Sequence, residues 1–228
     1  MAQLGRRARK IDLDDIVRVG RALGMQQLSL NAVASKPGVS AAALYRHVDG
    51  RWGLERLVGE SILGDLVLHH DPHHTVERHL LSFGLQLRSF VLDHPGLGTY
   101  MQILFPRGDA GRRLMADEIA ALCRAGYNPD VAVSVASVVA GSTINTTVAE
   151  ETQRLRVEGL DEQRRDVSEQ LDTDDRLAEA HRELPAVDTG EFSKLVLATT
   201  IRALVAVAPP GRPLEEVVAD LAATGLGK

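Results

Sequence analysis

The 228-residue chain is 44% hydrophobic and 25% charged, with a net charge of −5. That composition suffices for one sizeable core plus a small satellite domain and excludes a disordered chain. Cys123 is the only cysteine, which rules out an internal disulfide and points to a reducing cytoplasm. No run reaches the roughly 18 uninterrupted apolar residues of a membrane span, and the first residues lack the apolar core of a signal peptide, so a soluble protein with no membrane partner is expected.

The negative charge is unevenly spread. Residues 1–60 hold ten basic and six acidic side chains, whereas the remaining 168 hold sixteen basic and twenty-five acidic. A basic head on an acidic body suits phosphate binding by one end, because counterion release depends on local positive charge. Arg6, Arg7, Arg9 and Lys10 form either an arm over phosphates or a solvated tail.

A first helix should begin after the cap Asp12, with Asp14 and Asp15 in its first turn, bury Ile16, Val19 and Leu23, and end at Gly24. Ser29 caps a short second helix through Ala32, Val33 and Ala34, which Lys36-Pro37-Gly38 must stop. Ser40 caps a third, Ala41 to Val48, with Leu44 inward. Two short helices joined by a tight, glycine-containing turn make a helix-turn-helix, whose second helix fits a major groove. On that helix Ala41 and Ala42 let the backbone approach base edges, and Arg46 can pair with guanine or phosphate. Tyr45, His47 and Arg51 lie where flanking phosphates would be.

A connecting helix should follow from Arg51 to about His69, with Leu54, Leu57, Val58, Ile62 and Leu66 in its stripe. Residues 69–74, His-His-Asp-Pro-His-His, are of the types zinc takes. Pro72 marks them as a connection between helices, however, and a polar loop requires no metal; neither metal nor cofactor is assigned. Further helices are expected over 76–92, with Leu80, Phe83, Leu87, Phe90 and Val91 inward, over 98–105 and over 112–125. Asn128-Pro129-Asp130 starts a long helix through residue 151, rich in small residues that allow close approach. Residues 154–185 are charged and predict a mobile connection with one short helix near 175–182. An apolar helix over 191–208 and a short one over 214–221 close the chain. The two apolar helices, 129–151 and 191–208, exceed what a monomer of this size hides, so a homodimer joined by a four-helix bundle is expected.

Gly38-Val39-Ser40, Leu44-Tyr45-Arg46-His47-Val48 and Arg51 resemble the recognition helix and following helix start of the tetracycline-repressor (TetR) family, in which the Tyr, the His and the basic residue contact phosphates. The likeness covers residues 12–63. It continues faintly through Leu122-Cys123-Arg124-Ala125-Gly126-Tyr127, the helix ending Val148-Ala149-Glu150-Glu151 and the apolar helix after Phe192. It implies an all-α fold: a three-helix DNA-binding domain (1–50), a connecting helix (51–70) and a larger helical effector-binding and dimerisation domain (71–228). Asn31 stands where tetracycline repressors carry a base-reading Arg, which shifts preference toward adenine. The DNA-facing set is then Ser29, Asn31, Ser40, Ala41, Ala42, Tyr45, Arg46, His47 and Arg51.

The resemblance also implies an effector cavity between residues 80–105 and 140–150. An ungapped register from His94 places Met101 at the magnesium-ligating His and Leu104 at the Thr of the same motif, although Glu150 keeps an acidic position. A thioether does not suit a hard cation. A small apolar effector fits better, against Phe83, Leu87, Phe90, Met101, Leu104 and Phe105, with Asn145, Thr146 and Glu150 as polar groups.

No nucleophile elbow, zinc-protease or P-loop motif is present, so an enzyme is not expected. The function implied is a ligand-responsive transcriptional regulator: a cytoplasmic homodimeric repressor with an operator of double-stranded DNA and a small-molecule effector as partners. The alternative is a helical DNA-binding or adaptor protein with no effector.

Overall fold

The computed structural model describes residues 12–37, 39, 41–104, 108–155, 159–182 and 188–226. Ser40, Phe105 and the basic residues Arg6, Arg7, Arg9 and Lys10 lie outside them. Among the described residues there are twelve α-helices and no strand.

The head is α1 (Leu13–Leu23), α2 (Leu30–Ala34) and α3 (Ala41–His47). The Asp12 carboxylate caps α1 by accepting the Asp15 N–H at 2.9 Å, and Gly24, at φ 72°, ends it. The Ser29 hydroxyl caps α2 by accepting the Ala32 N–H at 3.1 Å. Ile16, Val33, Val39, Leu44 and Val48 close the small core, which continues into Leu54 and Val58 of α4 (Gly50–Leu63). The head therefore leans on the body. Gly20 marks the contact: a Cβ there would lie 2.3 Å from Val58 Cγ2.

The connecting helix is shorter than expected. It stops at Leu63, not near His69, because Arg113 of α7 (Asp109–Arg124) donates to the carbonyls of Gly64 and Leu66 at 3.3 and 3.2 Å. Those carbonyls receive their donor from a neighbouring helix, and Leu66 is buried by the bend.

The body is arranged around α8 (Pro129–Leu155), with α5 (Val76–Leu92), α6 (Leu97–Leu104), α7 and α11 (Thr189–Val207) packed on it. Its buried row runs Val131, Ala132, Val135, Ala136, Val139, Ala140, Thr143, Ile144, Thr147, Glu150, the helical spacing of a core-facing stripe. By length and composition this helix could cross a membrane, but half of the stretch concerned is buried inside the molecule. Close packing extends to α5, where a Cβ on Gly84 would lie 2.7 Å from Leu197 of α11.

The described residues between 154 and 182 hold more helix than their charge suggests. Where one short helix is expected near 175–182, α8 runs on to Leu155, α9 (Leu160–Thr173) follows, and α10 (Ala178–Arg182) packs against it. An Asp188–Glu191 capping box starts α11, and α12 (Leu214–Leu221) follows.

The start of α7 explains the rest of the joint. This helix begins at Asp109, one turn before residue 112, because a side chain from another helix caps it. The backbone N–H groups of Gly108, Ala110 and Gly111 donate to the Glu60 carboxylate of α4 at 3.0, 3.0 and 3.1 Å, and the Tyr100 hydroxyl of α6 donates at 3.2 Å. A carboxylate at a helix N-terminus satisfies orphan donors and matches the helix dipole. Replacing Glu60 by Ala should cost about 3 kcal/mol, lowering Tm by roughly 6–12 °C. An unchanged Tm in calorimetry would show the contact to be dispensable.

Candidate functional site

The expected DNA-facing residues whose side chains the structure describes are exposed. Ala42, Tyr45, Arg46 and His47 of α3 are exposed, as is Asn31 on α2. Tyr45 is 61% exposed, too high for a residue placed there by core packing. Ala41 opens α3, and Ser29 is committed to capping α2. Arg51 is exposed in the first turn of α4 and donates through Nε to Glu55 at 2.6 Å, which raises its pKa above the ordinary guanidinium value. Next to it Trp52 is 54% exposed.

The expected effector-binding residues are placed differently from one another. Phe83, Leu87 and Met101 are buried in the continuous core, and Phe90 is half-buried with its ring centroid 4.3 Å from that of His94. Leu104 is the last residue of α6. Asn145 is exposed and accepts from Gln102 at 2.9 Å, while the Thr146 hydroxyl donates to the carbonyls of Ser142 and Thr143. Glu150 is buried and already bound. Arg88 of α5 donates to it through Nε at 3.0 Å and Nη2 at 2.7 Å, and Arg154 adds a contact at 2.6 Å. Its oxygens thus serve a salt bridge between α5 and α8.

Among the cavities lined by described residues, four border these elements. A groove of 860 Å³ lies between α5 and α11, lined by residues such as Arg78, Leu81, Leu85 and Arg202. An apolar groove of 620 Å³ lies along α8, α11 and α12, between Val135, Val138, Leu204 and Leu221. A third, of 280 Å³, lies where Arg51 and Trp52 face Tyr100, Ile103 and Glu151. The fourth, of 600 Å³, holds Glu150 with Arg88, Arg164 and Lys194. None of Phe83, Leu87, Phe90, Met101, Asn145 or Thr146 lines any of the four. Thr143, in contrast, has a buried hydroxyl without a hydrogen-bond partner, and a Cβ on Gly84 would lie 3.0 Å from its oxygen.

Head and body also meet at the corner between α5 and α6. The Gln26 N–H donates to the Pro95 carbonyl at 3.2 Å, and the Gly96 N–H donates to Glu151 at 2.7 Å. Gly96 has φ 85°, and a Cβ there would lie 2.5 Å from the Gln26 nitrogen, so only glycine fits. On α4, a Cβ on Gly59 would lie 2.6 Å from the Tyr100 ring. Burial, reinforced by the Glu60 charge, pushes the Tyr100 phenol well above the ordinary tyrosine value. Glu60, Tyr100 and Arg88 carry no local sequence signal, because each acts on a partner at least 40 residues away.

No protein-family model matches the sequence, and no curated protein matches it. Solved structures do. ActR from Streptomyces coelicolor in complex with actinorhodin is 20% identical, with a TM-score of 0.77 over 90% of this chain and 100% of that one. TetR-Q116A from Acinetobacter baumannii AYE in complex with minocycline is 14% identical, with a TM-score of 0.60 over 87% and 99%. SCO7222, a TetR from Streptomyces coelicolor, is 16% identical, with a TM-score of 0.63 over 86% and 98%. The chain has the all-α fold of the TetR-family transcriptional regulators along nearly its whole described length.

The Arg88–Glu150 pair supplies a direct test of this packing. Arg88→Met should destabilise the protein by about 3 kcal/mol, since it deprives a buried carboxylate of its bidentate partner. Adding Glu150→Leu should recover most of that loss in a denaturant titration; no recovery would mean that the charge is not what the site is built around.

Proposed function

We propose that the chain is a TetR-family transcriptional regulator, a homodimeric repressor that leaves its operator when a small, largely apolar effector binds. The observation that carries this reading is the exposed Tyr45-Arg46-His47 run on α3, presented by a three-helix head in a fold shared with transcriptional regulators. Arg46 reads bases, and Tyr45, His47 and Arg51 hold phosphates on either side of the groove. Arg51 can exchange Glu55 for phosphate at little cost, because an exposed i,i+4 ion pair is weak and screened by solvent.

Dimerisation is supported by the apolar side chains left open along α8 and α11. Val133 and Val138 are 43% and 45% exposed, and Phe192 and Leu195 are also exposed, as are Val218 and Leu221 of α12. Two copies apposing α8 and α11 would cover them and set two heads on half-sites about one helical turn apart.

An effector held among α5, α6 and α8 would act through α6. Displacing α6 moves Tyr100 and with it Glu60, so the shift reaches α4 and the head through one hydrogen-bonded joint. Thr143, with its free hydroxyl, supplies a polar contact for such a ligand. The tight burial of Phe83, Leu87 and Met101 favours the second reading, a DNA-binding or adaptor protein without effector. Thermal stabilisation by small apolar polycyclic compounds separates the two, because only a ligand of the folded state raises Tm.

In gel-shift titrations on DNA upstream of its own gene, Arg46→Ala should lose about ten- to a hundredfold in affinity for the cognate operator. Arg51→Ala should weaken all sequences alike and reduce the salt slope by about 1. Unchanged operator affinity in Arg46→Ala would place another face of the head in the groove. Val138→Glu should sediment as a monomer and lose operator affinity; a dimer that persists would put the interface elsewhere.

A further inference from the structure

The histidines of residues 69–74 do not act as one group. His69 and His73 are exposed, and the His69 backbone is held by Gln86, donating to its side-chain oxygen at 2.8 Å and accepting from its nitrogen at 3.0 Å. His74 stays 3.5 Å from Asp71. His70 turns inward and stacks on His79 of α5, ring centroids 5.1 Å apart.

Facing both rings is Glu118 of α7, 0% exposed. One carboxylate oxygen is 2.9 Å from His79 Nε2, and the other is 3.8 Å from His70 Nδ1. That second oxygen and His70 Nε2 are buried with no hydrogen-bond partner. A fully buried carboxylate with one hydrogen bond is poorly compensated, since such groups are normally saturated or bound to a cation.

The geometry offers the missing compensation. One nitrogen from each imidazole and one Glu118 oxygen lie within 4.8 Å of one another. Zinc with bonds of about 2.0–2.1 Å sets tetrahedral ligands roughly 3.4 Å apart. The widest separation therefore has to shrink by no more than roughly 1.4 Å. His70 can provide this movement, for it is half-exposed on the connection between α4 and α5. Two neutral imidazoles and a carboxylate give a site of charge −1, and the next charges felt by His70, Arg124 and Asp117, oppose one another. Nitrogen-rich donors select a borderline cation over magnesium or calcium.

We propose that His70, His79 and Glu118 bind a divalent transition-metal cation of the zinc class, with the fourth position taken by water. The bound ion fastens the connection after α4 to both α5 and α7, the helix whose Arg113 already holds the end of α4.

The test uses the full chain, stripped with a chelator and titrated with zinc chloride against a chromophoric zinc indicator. One ion per chain is expected, with Tm raised by roughly 5–10 °C at a hundredfold excess over Kd. Cobalt(II) should give the visible absorption of a four-coordinate site. His70→Ala, on a connection outside the hydrophobic core, should weaken zinc about a hundredfold and abolish the cobalt bands. The double variant His69→Ala/His73→Ala should leave both unchanged. No stoichiometric binding, binding unaffected by His70→Ala, or binding lost in the His69/His73 variant would overturn the site. Either of the first two results would leave His79–Glu118 as a hydrogen-bonded contact only.

Discussion

Three helices of this protein meet at one carboxylate. Glu60 belongs to α4, the helix on which the head rests, yet its oxygens complete the first turn of α7 and receive the Tyr100 hydroxyl from α6. Orphan N–H groups at a helix start must find acceptors, and here the acceptor comes from the other structural unit. Gly59 and Gly108 make room for it: a Cβ on the first would strike the Tyr100 ring, and one on the second would strike Glu60 itself. Arg21 extends the joint by donating to the Ser61 carbonyl and pairing with Asp65, so α1 is fixed to the same stretch of α4. The head is too small to be robust alone and gains its support here.

A second constraint is the surplus of apolar surface. The small residues of α8 let α5 and α11 approach until Gly84 and Leu197 touch, which fills the interior of the body. What remains on the outside of α8, α11 and α12 is a long apolar groove. It is along this strip that the dimer proposed above would close. The buried polar pairs do not line that groove: Arg88–Glu150 joins α5 to α8, and His79–Glu118 joins α5 to α7.

Local signals in the sequence predicted local structure well. Asp12, Gly24, Ser29 and Pro129 marked helix ends where the structure has them, and the stripe from Leu80 to Val91 defined α5. The exposed face of α3 was legible because helical spacing separates Leu44 from Tyr45, Arg46 and His47. Features set by distant partners were not. Nothing near Gly64 announces that Arg113 will end α4, and nothing near Asp109 announces that Glu60 will begin α7. The charged run after residue 154 hid α9, whose half-buried Leu160, Val167's neighbour Ser168 and Leu171 are too sparse to read as a stripe. Among the histidines, crowding in sequence pointed to the loop, whereas burial brought together His70, His79 and Glu118, 39 residues apart along the chain at the widest hydrogen-bonded pair.

Because α7 is capped from another helix, its first turn is an internal gauge of the joint. The amide protons of Ala110 and Gly111 are bonded to Glu60 and to nothing within their own helix. If α4 shifts away, these amides lose their acceptor while the rest of α7 keeps its hydrogen bonds. Their exchange rates and chemical shifts therefore register the position of the head from a site within the body, without any label on the head itself.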